Sequence, residues 1–459
     1  MSSTHIDDPV AWAIAAFRDG RNILYDKYES YIIGDQPLSF ASPKFESAFG
    51  RLFSEFAYNR CEMAVDAHAD RLQIAGFSAD DDAIATAAQF AWDSNRMDTR
   101  EGHMYRDAFG LGDSYVIVEK NPRTNKVLYW VNQPQSMRVH WNDDAPDTID
   151  LAAKYWLDDD EHGNLTIYLP GEIRKYITRT RAKSGIPRSP SMFDRREVEG
   201  ETWPLKLDVP DQVPVFHVPN NGRTSAYGVS ELRSVLPLQD ALNKTVMDMM
   251  VAMELVAFPQ RVMIGVDAPQ TPEEEAMVRA FEGGMTRLWT MANDNGKIAE
   301  FSAANIAQFI AVADYFDKAI SRVTKIPYHW LGMSSEAESG RARRVSESPF
   351  VVKIEDRQKG FGYTVSEVQR YGLRLQGMDV KPGEIRVNWN SAESVSDEDV
   401  LDMQITKKAV GYPFVSILRE SGYEPEQIDT IMQEAREASD AAAMMFSRGL
   451  PVALNESAA

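Results

Sequence analysis

Cysteine is almost absent from the 459-residue sequence, which contains only Cys61. A single thiol excludes an intramolecular disulfide framework and a thiolate-rich zinc site, and it fits a reducing compartment. Cys61 lies in the helical pattern FAYNRCEMAVDA, so we expect a buried and inert thiol. The seven histidines are scattered without metal-binding spacing, which argues against a histidine zinc site.

Long hydrophobic runs are absent as well. The sequence from Met1 to Pro9 is polar, and the apolar run from Ala11 to Phe17 is too short for an export signal. The most apolar helical stretch is interrupted by Asp248 and Glu254, so it lacks the roughly 18 uncharged residues of a membrane-spanning helix. We therefore expect a protein that is made and kept in a cytoplasm and has no membrane partner.

Positive charge is scarce. The chain has 49 lysines and arginines against 69 acidic residues, giving a formal charge of −20 and a pI near 4.9. This balance argues against a surface that grips nucleic acid, because phosphate binding needs fields of lysine and arginine. It does not exclude a protein that lets DNA pass without sticking, and an acid-adapted or halophilic proteome would give the same balance.

Nucleotide-binding motifs are also missing. Gly296 and Lys297 lack the upstream glycine of a Walker loop. Gly110 and Gly112 follow a predicted helix and precede a strand, which is the reverse of a dinucleotide-binding fingerprint, so we interpret GLGDSY as a turn.

The acidic residues Asp397 and Asp399 raise the alternative of a metal-dependent nuclease. They follow Ser396, a helix cap, and carboxylates in the first turn of a helix interact favourably with the helix dipole. We favour this structural interpretation over a metal site.

The first half of the sequence predicts helices followed by strands. Residues 45–77 and 81–110 carry apolar residues at helical spacing, and the segment 179–214 is polar and contains prolines, as in a surface excursion. Between these regions the period changes to that of antiparallel strands. The predicted strands are 115–118, 127–131, 137–141, 152–157, 165–169 and 173–178.

The stretch VLPLQDALNKTVMDMMVAMELVAFPQRVMIG predicts a helix from Pro237 to Phe258, about 33 Å long. Asp240, Lys244 and Asp248 form one polar stripe at a spacing of four residues, and the other faces are mostly apolar. A helix that is apolar nearly all round is expected to be buried on several sides.

A small α/β insert follows this helix. RVMIGV predicts a strand, TPEEEAMVRAFEGGMTRLWTM a helix that begins at Thr271, and NDNGKIAEF a turn into another strand. A second long helix is predicted from Asn305 to Lys325. Its apolar stripe consists of Ile306, Phe309, Ile310, Ala313, Phe316, Ile320 and Val323.

The last third predicts a Gly/Ser loop that leads into a long helix, which Pro349 should kink. A strand in EIRVNWN follows, then a helix capped by Ser396 and a terminal helix after Glu424.

One basic cluster lies beside the predicted loop. The structural alternative to phosphate contact is pairing with the interspersed acids Glu336, Glu338, Glu347 and Glu355, and both alternatives stay open, because helix-surface pairs and phosphate steering use the same spacing. The cluster comprises Arg341, Arg343, Arg344, Lys353 and Arg357.

Several stretches in this order resemble the portal proteins of tailed bacteriophages, in particular those of phages with long non-contractile tails. YDKYESYIIGDQPL resembles the early tyrosine-rich helix of that family, and DAFGLGDSYVIV its helix-to-strand transition. YGVSELRSVLPLQDALNKTVMDMM and ISRVTKIPYHWLG resemble the start and the end of its stem pair, and ESGRARR its Ser-Gly-x-Ala segment. The similarity runs from Tyr25 to about Glu434.

The resemblance implies an α+β, portal-type fold with a helical and β-stranded wing, a two-helix stem, a small α/β clip between the stem helices, and a long kinked helix after a tunnel loop. The implied segments are a wing (1–229), first stem helix (230–258), clip (259–303), second stem helix (304–330), tunnel loop (331–344), kinked helix (345–378), and C-terminal wing with a small crown (379–459).

The resemblance also implies roles for particular residues. The basic cluster defined above would supply DNA-facing tunnel contacts. The candidates for the stem oligomer interface are Leu242, Val246, Met249, Met250, Met253, Phe309, Phe316 and Ile320. The candidates for partner binding on the clip are Glu273, Glu274, Arg279, Arg287 and Trp289.

A structural role in the virion is therefore expected, with no catalytic residues, metal or cofactor. The implied assembly is a dodecameric ring at the capsid vertex, through which double-stranded DNA passes without sequence recognition during packaging and ejection. Implied partners are the terminase large subunit, head-completion or adaptor proteins, and the major capsid and scaffold proteins. The alternatives are the nuclease and another phage assembly protein, such as a scaffold or tail adaptor.

Overall fold

The computed structural model describes residues 7–36, 58–121, 124–182, 185–257, 261–264, 271–272, 288–291, 297–300, 306–331, 340–393, 404–420 and 427–437. The chain divides into two compact units, Met1–Ala392 and Glu393–Ala459.

A six-stranded antiparallel sheet forms much of the first unit, with strand order β4-β5-β6-β7-β8 and β9 paired to β7. Helix α1 (Pro9–Phe17) packs on it through apolar side chains, and the Asp8 carboxylate caps the first turn of this helix. The predicted strands between residues 137 and 178 are confirmed, and the predicted surface excursion 179–214 adds two short strands. The six strands are β4 (Met137–Trp141), β5 (Ile149–Leu157), β6 (Gly163–Leu169), β7 (Glu172–Thr178), β8 (Phe193–Arg195) and β9 (Leu205–Lys206).

A second, three-stranded antiparallel sheet has the strand order β10-β2-β3. The helix Met97–Leu111 ends at its C-cap Gly112, which adopts φ +104°, a conformation that favours glycine. A Cβ atom at Gly228 would lie 1.9 Å from the Gly112 carbonyl oxygen, so the two backbones can approach only without a side chain at residue 228. The strands are β2 (Asp113–Lys120), β3 (Val127–Asn132) and β10 (Val215–Pro219).

The outer edge of β3 is occupied by side chains. The Asn95 amide donates to the Val127 carbonyl at 3.2 Å and accepts from the Tyr129 N–H at 3.0 Å. The Arg100 guanidinium donates to the Tyr129 carbonyl at 3.1 Å. Backbone groups that an edge strand would otherwise leave unpaired are thereby satisfied.

Helices α2 to α5 form a layer around the main core, as the apolar spacing predicts. One expectation for this region is wrong: the helical pattern ends at Ala69, and residues 74–78 form a strand, β1 (Ile74–Ser78). Its partner is β14 (Arg386–Trp389), with which it pairs antiparallel. The helices are α2 (Arg21–Ile32), α3 (Cys61–Ala69), α4 (Asp82–Ser94) and α5 (Met97–Leu111).

The first of the two long apolar helices is confirmed as α6 (Leu236–Ala257), preceded by a 3-10 turn at Glu231–Ser234. The second is α7 (Ile306–Thr324), which packs against α6. Both helices lie within a residue or two of their predicted ends.

Three short strands lie between these helices in sequence: β11 (Arg261–Ile264), β12 (Leu288–Met291) and β13 (Lys297–Glu300). The central strand β11 is parallel to β12 and antiparallel to β13. The predicted helix is therefore wrong over Leu288–Met291. Gly283 and Gly284, a few residues before this strand, disfavour a helix, and the sequence LWTM is rich in residues that favour strands. Apart from Thr271 and Pro272, the rest of that predicted helix lies outside the described residues.

The longest described helix is α8 (Gly340–Leu375), which continues on both sides of Pro349. Its buried stripe packs against the main core and against the three-stranded sheet. The stripe consists of Phe350, Ile354, Phe361, Val365, Val368 and Tyr371.

The second unit contains helix α9 (Phe414–Glu420), and residues 404–409 and 427–437 are also helical. Ile417, Leu418 and Ile428 are buried in it. The predicted cap Ser396 and the acids Asp397 and Asp399 lie outside the described residues. None of the helices that the structure describes is both long enough and apolar enough to span a membrane.

Candidate functional site

The stem candidates on α6 and α7 separate into buried and exposed positions. Leu242 and Ile320 are fully buried within the chain. Val246 and Phe316 are partly buried against the same core. The remaining candidates are half-buried (Met249, Phe309) or exposed (Met250, Met253).

A set of exposed apolar side chains follows the two helices, and we call it the stem surface. Tyr315 is the most exposed of them at 60%, and Ile310 is 57% exposed. Exposed apolar side chains on two packed helices form a candidate contact surface for another protein. The stem surface consists of Met250, Met253, Ile310, Val312, Tyr315 and Val323.

Polar contacts tie both long helices to the chain segment before α3. Arg60 donates from Nε to Asp317 Oδ1 at 2.9 Å and from Nη2 to Oδ2 at 3.0 Å, and the Asp317 side chain is only 1% exposed. On α6, the Gln239 side chain accepts from the Arg60 N–H at 2.9 Å and donates to the Tyr58 carbonyl at 2.6 Å. Residues 58–60 therefore hold α6 and α7 together.

Cys61 lies beside this contact, with its Sγ 3.9 Å from Gln239 Oε1. Burial raises the pKa of the Cys61 thiol to about 12. Since the thiolate is the reactive form, the predicted buried and inert thiol is confirmed.

The predicted polar stripe of α6 is engaged in local contacts. The Tyr31 hydroxyl of α2 donates to Asp240 Oδ1 at 2.7 Å, and Lys244 pairs with Asp248 one turn further along. These contacts leave the apolar faces of the helix for packing.

Two members of the basic cluster lie in buried ion pairs. Lys353 Nζ is 2.6 Å from Glu231 Oε2, and both side chains are about one-tenth exposed. The Arg357 guanidinium lies 3.7 Å from Glu231 Oε1 and 2.7 Å from Asp356 Oδ2. Its Nε donates to the side-chain oxygen of Asn220 at 2.7 Å. This burial does not favour a DNA contact for either Lys353 or Arg357.

The other three members of the cluster are less fully described. Arg344 is exposed in the second turn of α8. The structure describes the backbone of Arg341 and Arg343 at the start of α8 but not their side chains. The DNA-facing role of these three arginines stays a prediction.

Glu231 is the acceptor at the centre of these pairs. Burial acts to raise the pKa of this carboxyl, but the charge of Lys353 and the hydrogen bonds from Lys353 and Asn220 outweigh it, so the pKa lies below its ordinary value. Glu231 is therefore ionised at neutral pH, and the pair is charged.

His68 borders the same cluster in a fully buried position between the rings of Phe109 and Phe350. Its Nδ1 lies 2.6 Å from the Ala64 carbonyl, and its Nε2 lies 3.2 Å from the carbonyl of Thr324, the last residue of α7. Burial lowers the pKa of His68 to about 4, so the ring is neutral at neutral pH.

A second buried polar centre was not predicted from the sequence. Asp113, the first residue of β2, accepts from Tyr25 at 2.7 Å, from His217 Nε2 at 2.6 Å and from the Gly228 N–H at 2.6 Å. Burial acts to raise the pKa of Asp113, and the hydrogen bond and charge of His217 lower it below its ordinary value. The turn GLGDSY thus joins α2, two strands and the chain leading to α6.

The clip candidates are mostly outside the described residues: Glu273, Glu274, Arg279 and Arg287. Trp289 lies in β12, where its backbone pairs with Val262 of β11. Its side chain is not described.

The described residues contain no group of three or more His, Cys, Asp or Glu side chains arranged to hold a metal ion. A surface groove of about 1070 Å³ lies between α8 and the loops 146–149 and 221–226. Carboxylates along this groove are paired with arginines, for example Glu367 with Arg370 at 2.6 Å.

Comparison with known proteins identifies the family. A family model described as "Phage portal protein, SPP1 Gp6-like" matches residues 63–416, which is more than half of the chain. The chain belongs to this family of phage portal proteins.

Two relatives agree with the assignment. The portal protein of Mycobacterium phage D29 is 27% identical over 355 residues, covering 73% of this chain and 68% of that protein. The portal protein of Mycobacterium phage L5 is 26% identical over 405 residues, covering 83% and 78%.

Two solved structures that resemble the chain both come from gene transfer agent particles. A chain in the neck of an empty particle is 13% identical with a TM-score of 0.48, covering 87% of this chain and 99% of that one. A chain in the virion of a native particle is 12% identical with a TM-score of 0.44, covering 86% and 95%. Similarity at this level carries no argument, and the assignment depends on the family model.

Membership of the portal family confirms the predicted family and the mixed α+β fold. A portal protein is a structural component of the virion at the junction of head and tail, so the predicted structural role and the virion location are confirmed as well. The segment boundaries, the site residues and the individual partners stay predictions.

Proposed function

We propose that the chain is the subunit of a ring, of about twelve copies, whose central channel carries double-stranded DNA during packaging and ejection. The observation that carries this proposal is the stem surface. Six apolar side chains are exposed along α6 and α7, although both helices already contribute to the core of their own chain. In a ring of portal subunits, this surface would be buried against a neighbouring copy.

The segment assignment follows from this proposal. Helices α6 and α7 form the stem, the sheet β11–β13 belongs to the clip, and α8 is the long helix after the tunnel loop. The N-terminal wing extends from the first residue to 229. The C-terminal wing and a small crown extend from 379 to 459.

Charge supplies the mechanism of DNA passage. Twelve copies of a chain with formal charge −20 carry about −240 charges, and an acidic lumen repels phosphates, so the duplex slides rather than binds. Weak and sequence-independent contacts would then come from rings of arginine. Because Lys353 and Arg357 are committed to buried pairs, we assign this role to Arg341, Arg343 and Arg344.

The clip is the proposed docking site for the terminase large subunit and later for head-completion or adaptor proteins. Major capsid and scaffold proteins are the proposed partners of the wing. The portal itself is proposed to hydrolyse nothing, with the ATPase activity supplied by the terminase.

The experiment that tests the ring is mass photometry of the purified protein combined with negative-stain imaging. A particle of about twelve subunits with a central hole is the expected result. Monomers that persist with scaffold protein present, at all salt concentrations, would overturn the proposal.

The DNA-facing arginines require a separate test. Replacing Arg341, Arg343 and Arg344 together by Glu should reduce the amount of DNA packaged while rings still form. The matched control is Arg181→Glu, an exposed arginine in the wing. Unchanged packaging by the triple variant would refute the assignment of these three residues.

A further inference from the structure

The C-terminal end of α7 contacts α8 in the core. Lys353 Nζ, in the fourth turn of α8, donates to the carbonyl of Thr324 at 3.1 Å, and Thr324 is the last residue of α7. The same ammonium group donates to Glu231 Oε2 at 2.6 Å, in the turn that precedes α6. One side chain therefore joins the start of the first stem helix, the end of the second, and α8.

A second contact lies between the turn that follows α7 and helix α8. His329 Nε2, in the 3-10 turn Tyr328–Leu331, lies 3.4 Å from Glu347 Oε1 on α8. These side chains are 16% and 11% exposed. The contact bridges 18 residues of sequence, as the Lys353–Thr324 contact bridges 29.

Aromatic packing fills the space between the two polar contacts. The Trp330 ring lies edge-on to Phe350 with 5.1 Å between ring centroids, and the Arg71 guanidinium lies 4.7 Å from the Trp330 centroid. Phe350 is fully buried, and Leu331 is 5% exposed. The turn Tyr328–Leu331 therefore contacts α8 and also Arg71, which lies two residues after the end of α3.

We propose that the Glu231–Lys353–Thr324 and His329–Glu347 contacts form a clamp that holds residues 325–331 and 344–353 in one position relative to the stem helices. Lys353 and Glu231 are then positioning residues: they touch no DNA but fix the place from which the arginine-bearing segment extends. A displacement of the stem would be passed to the start of α8 as a rigid movement. The value of the clamp for DNA passage rests on the proposed function above, whereas its mechanical effect does not.

A merely stabilising role makes a different prediction. If the ion pair only contributed to the free energy of folding, its removal would increase hydrogen exchange across the whole cooperative unit. A clamp predicts a local effect at two stretches that are remote in sequence, residues 325–331 and 344–352. The sheet β4–β8 would be unaffected.

The test is hydrogen–deuterium exchange on the full-length assembled protein carrying Lys353→Met. Exchange in both stretches should rise together, by roughly tenfold or more, while the six-stranded sheet keeps its wild-type rates. The matched control is Lys359→Met, which removes an exposed lysine six residues further along the same helix and should change neither stretch. Glu231→Gln, which keeps a hydrogen-bond acceptor and removes the charge, should reproduce the pattern in weaker form if Lys353→Met fails to fold.

Unchanged exchange in both stretches would overturn the clamp, and so would an equal increase in all parts of the protein. An increase in only one stretch would also overturn it, because the contacts would then not couple the two ends. Packaging assays on the same variants separate this proposal from the function. If the arginine variant packages normally while Lys353→Met shows the joint increase, the DNA-facing assignment fails and the clamp stands.

Discussion

The carboxylate of Asp317 on α7 receives two hydrogen bonds from the guanidinium of Arg60, at 2.9 and 3.0 Å, in a position where the aspartate side chain is 1% exposed. A bidentate pair of this kind fixes both distance and orientation. It attaches α7 to the segment that also holds Gln239 of α6. Arg60 therefore anchors both long helices to the segment before α3.

Removing one partner of this pair should be costly. Arg60→Ala leaves a buried carboxylate without its partner, so we expect the free energy of unfolding to fall by about 3–5 kcal/mol. Urea denaturation followed by tryptophan fluorescence would measure it. The matched control is Lys318→Ala, whose pair with Asp314 on the same helix is partly exposed and should contribute less than about 1 kcal/mol. Equal losses in the two variants would contradict the buried anchor.

His68 should make the protein less stable as the pH falls below neutral. Burial holds the pKa of His68 at about 4 in the folded chain, against 6.5 when it is unfolded, so the unfolded chain takes up a proton first. The stability is fully present above pH 6.5 and declines between pH 6.5 and 4, by about 3 kcal/mol.

Comparison of thermal unfolding midpoints from pH 4 to 8 tests this effect. His68→Gln should be less stable than wild type at pH 8, and the difference should shrink toward pH 4. The exposed His103→Gln is the control and should follow the wild-type curve. A constant difference between His68→Gln and wild type at every pH would exclude titration of His68 as the cause.

Glu101 should have the opposite effect. Burial raises the pKa of this carboxyl to about 7, and its oxygens accept from the Tyr105 hydroxyl at 3.3 Å and the Ile74 N–H at 3.4 Å. A carboxyl with a raised folded pKa gives its full stability below its unfolded pKa of 4.5 and loses it as the pH rises to about 7, here by about 3 kcal/mol.

Glu101→Gln removes the titrating group while keeping the side-chain size. We expect this variant to be more stable than wild type at pH 8 and to lose that advantage at pH 4.5, as measured by thermal unfolding. Glu355→Gln, at an exposed site on α8, is the control and should show no pH-dependent difference. An advantage that persists at pH 4.5 would disprove the assignment.

Charge on the stem surface should prevent assembly. Tyr315→Glu and Met253→Glu each place a carboxylate at an exposed apolar position, and burial of an unpaired charge between copies is unfavourable. Mass photometry should show rings replaced by smaller species, with the circular dichroism spectrum unchanged. Leu157→Glu, which changes an equally exposed apolar residue of the six-stranded sheet, should still form rings. Rings of normal size from Tyr315→Glu would exclude this face from the interface.

The sequence predicts the elements whose pattern is local and repeated. Helices α6 and α7 have long apolar stripes with clear ends at proline, and the strands between residues 113 and 178 alternate with turn residues. Strand β1 was missed because its pattern is short and its partner, β14, lies more than 300 residues away. Strand β12 was missed because it is only four residues long and directly follows a segment with helical signals, and its local spacing does not identify β11 as its neighbour.

In the candidate site, too, the sequence predicted the local patterns but not the contacts between distant residues. Apolar spacing identified α6 and α7, but it could not tell that Ile320 is buried in its own chain whereas Tyr315 is exposed. The acid that pairs with Lys353 is Glu231, 122 residues away, and not one of the acids interspersed in the basic cluster. Asp113 carried no motif signal of its own, and its three donors come from three distant parts of the chain.

The side chains on the outer edge of β3 matter when many copies of the chain are present together. At high protein concentration, an open strand edge would pair with the edge of a second chain. Asn95 and Arg100 already occupy the backbone groups of Val127 and Tyr129. Uncontrolled strand pairing between copies is thereby closed off at this edge of the sheet.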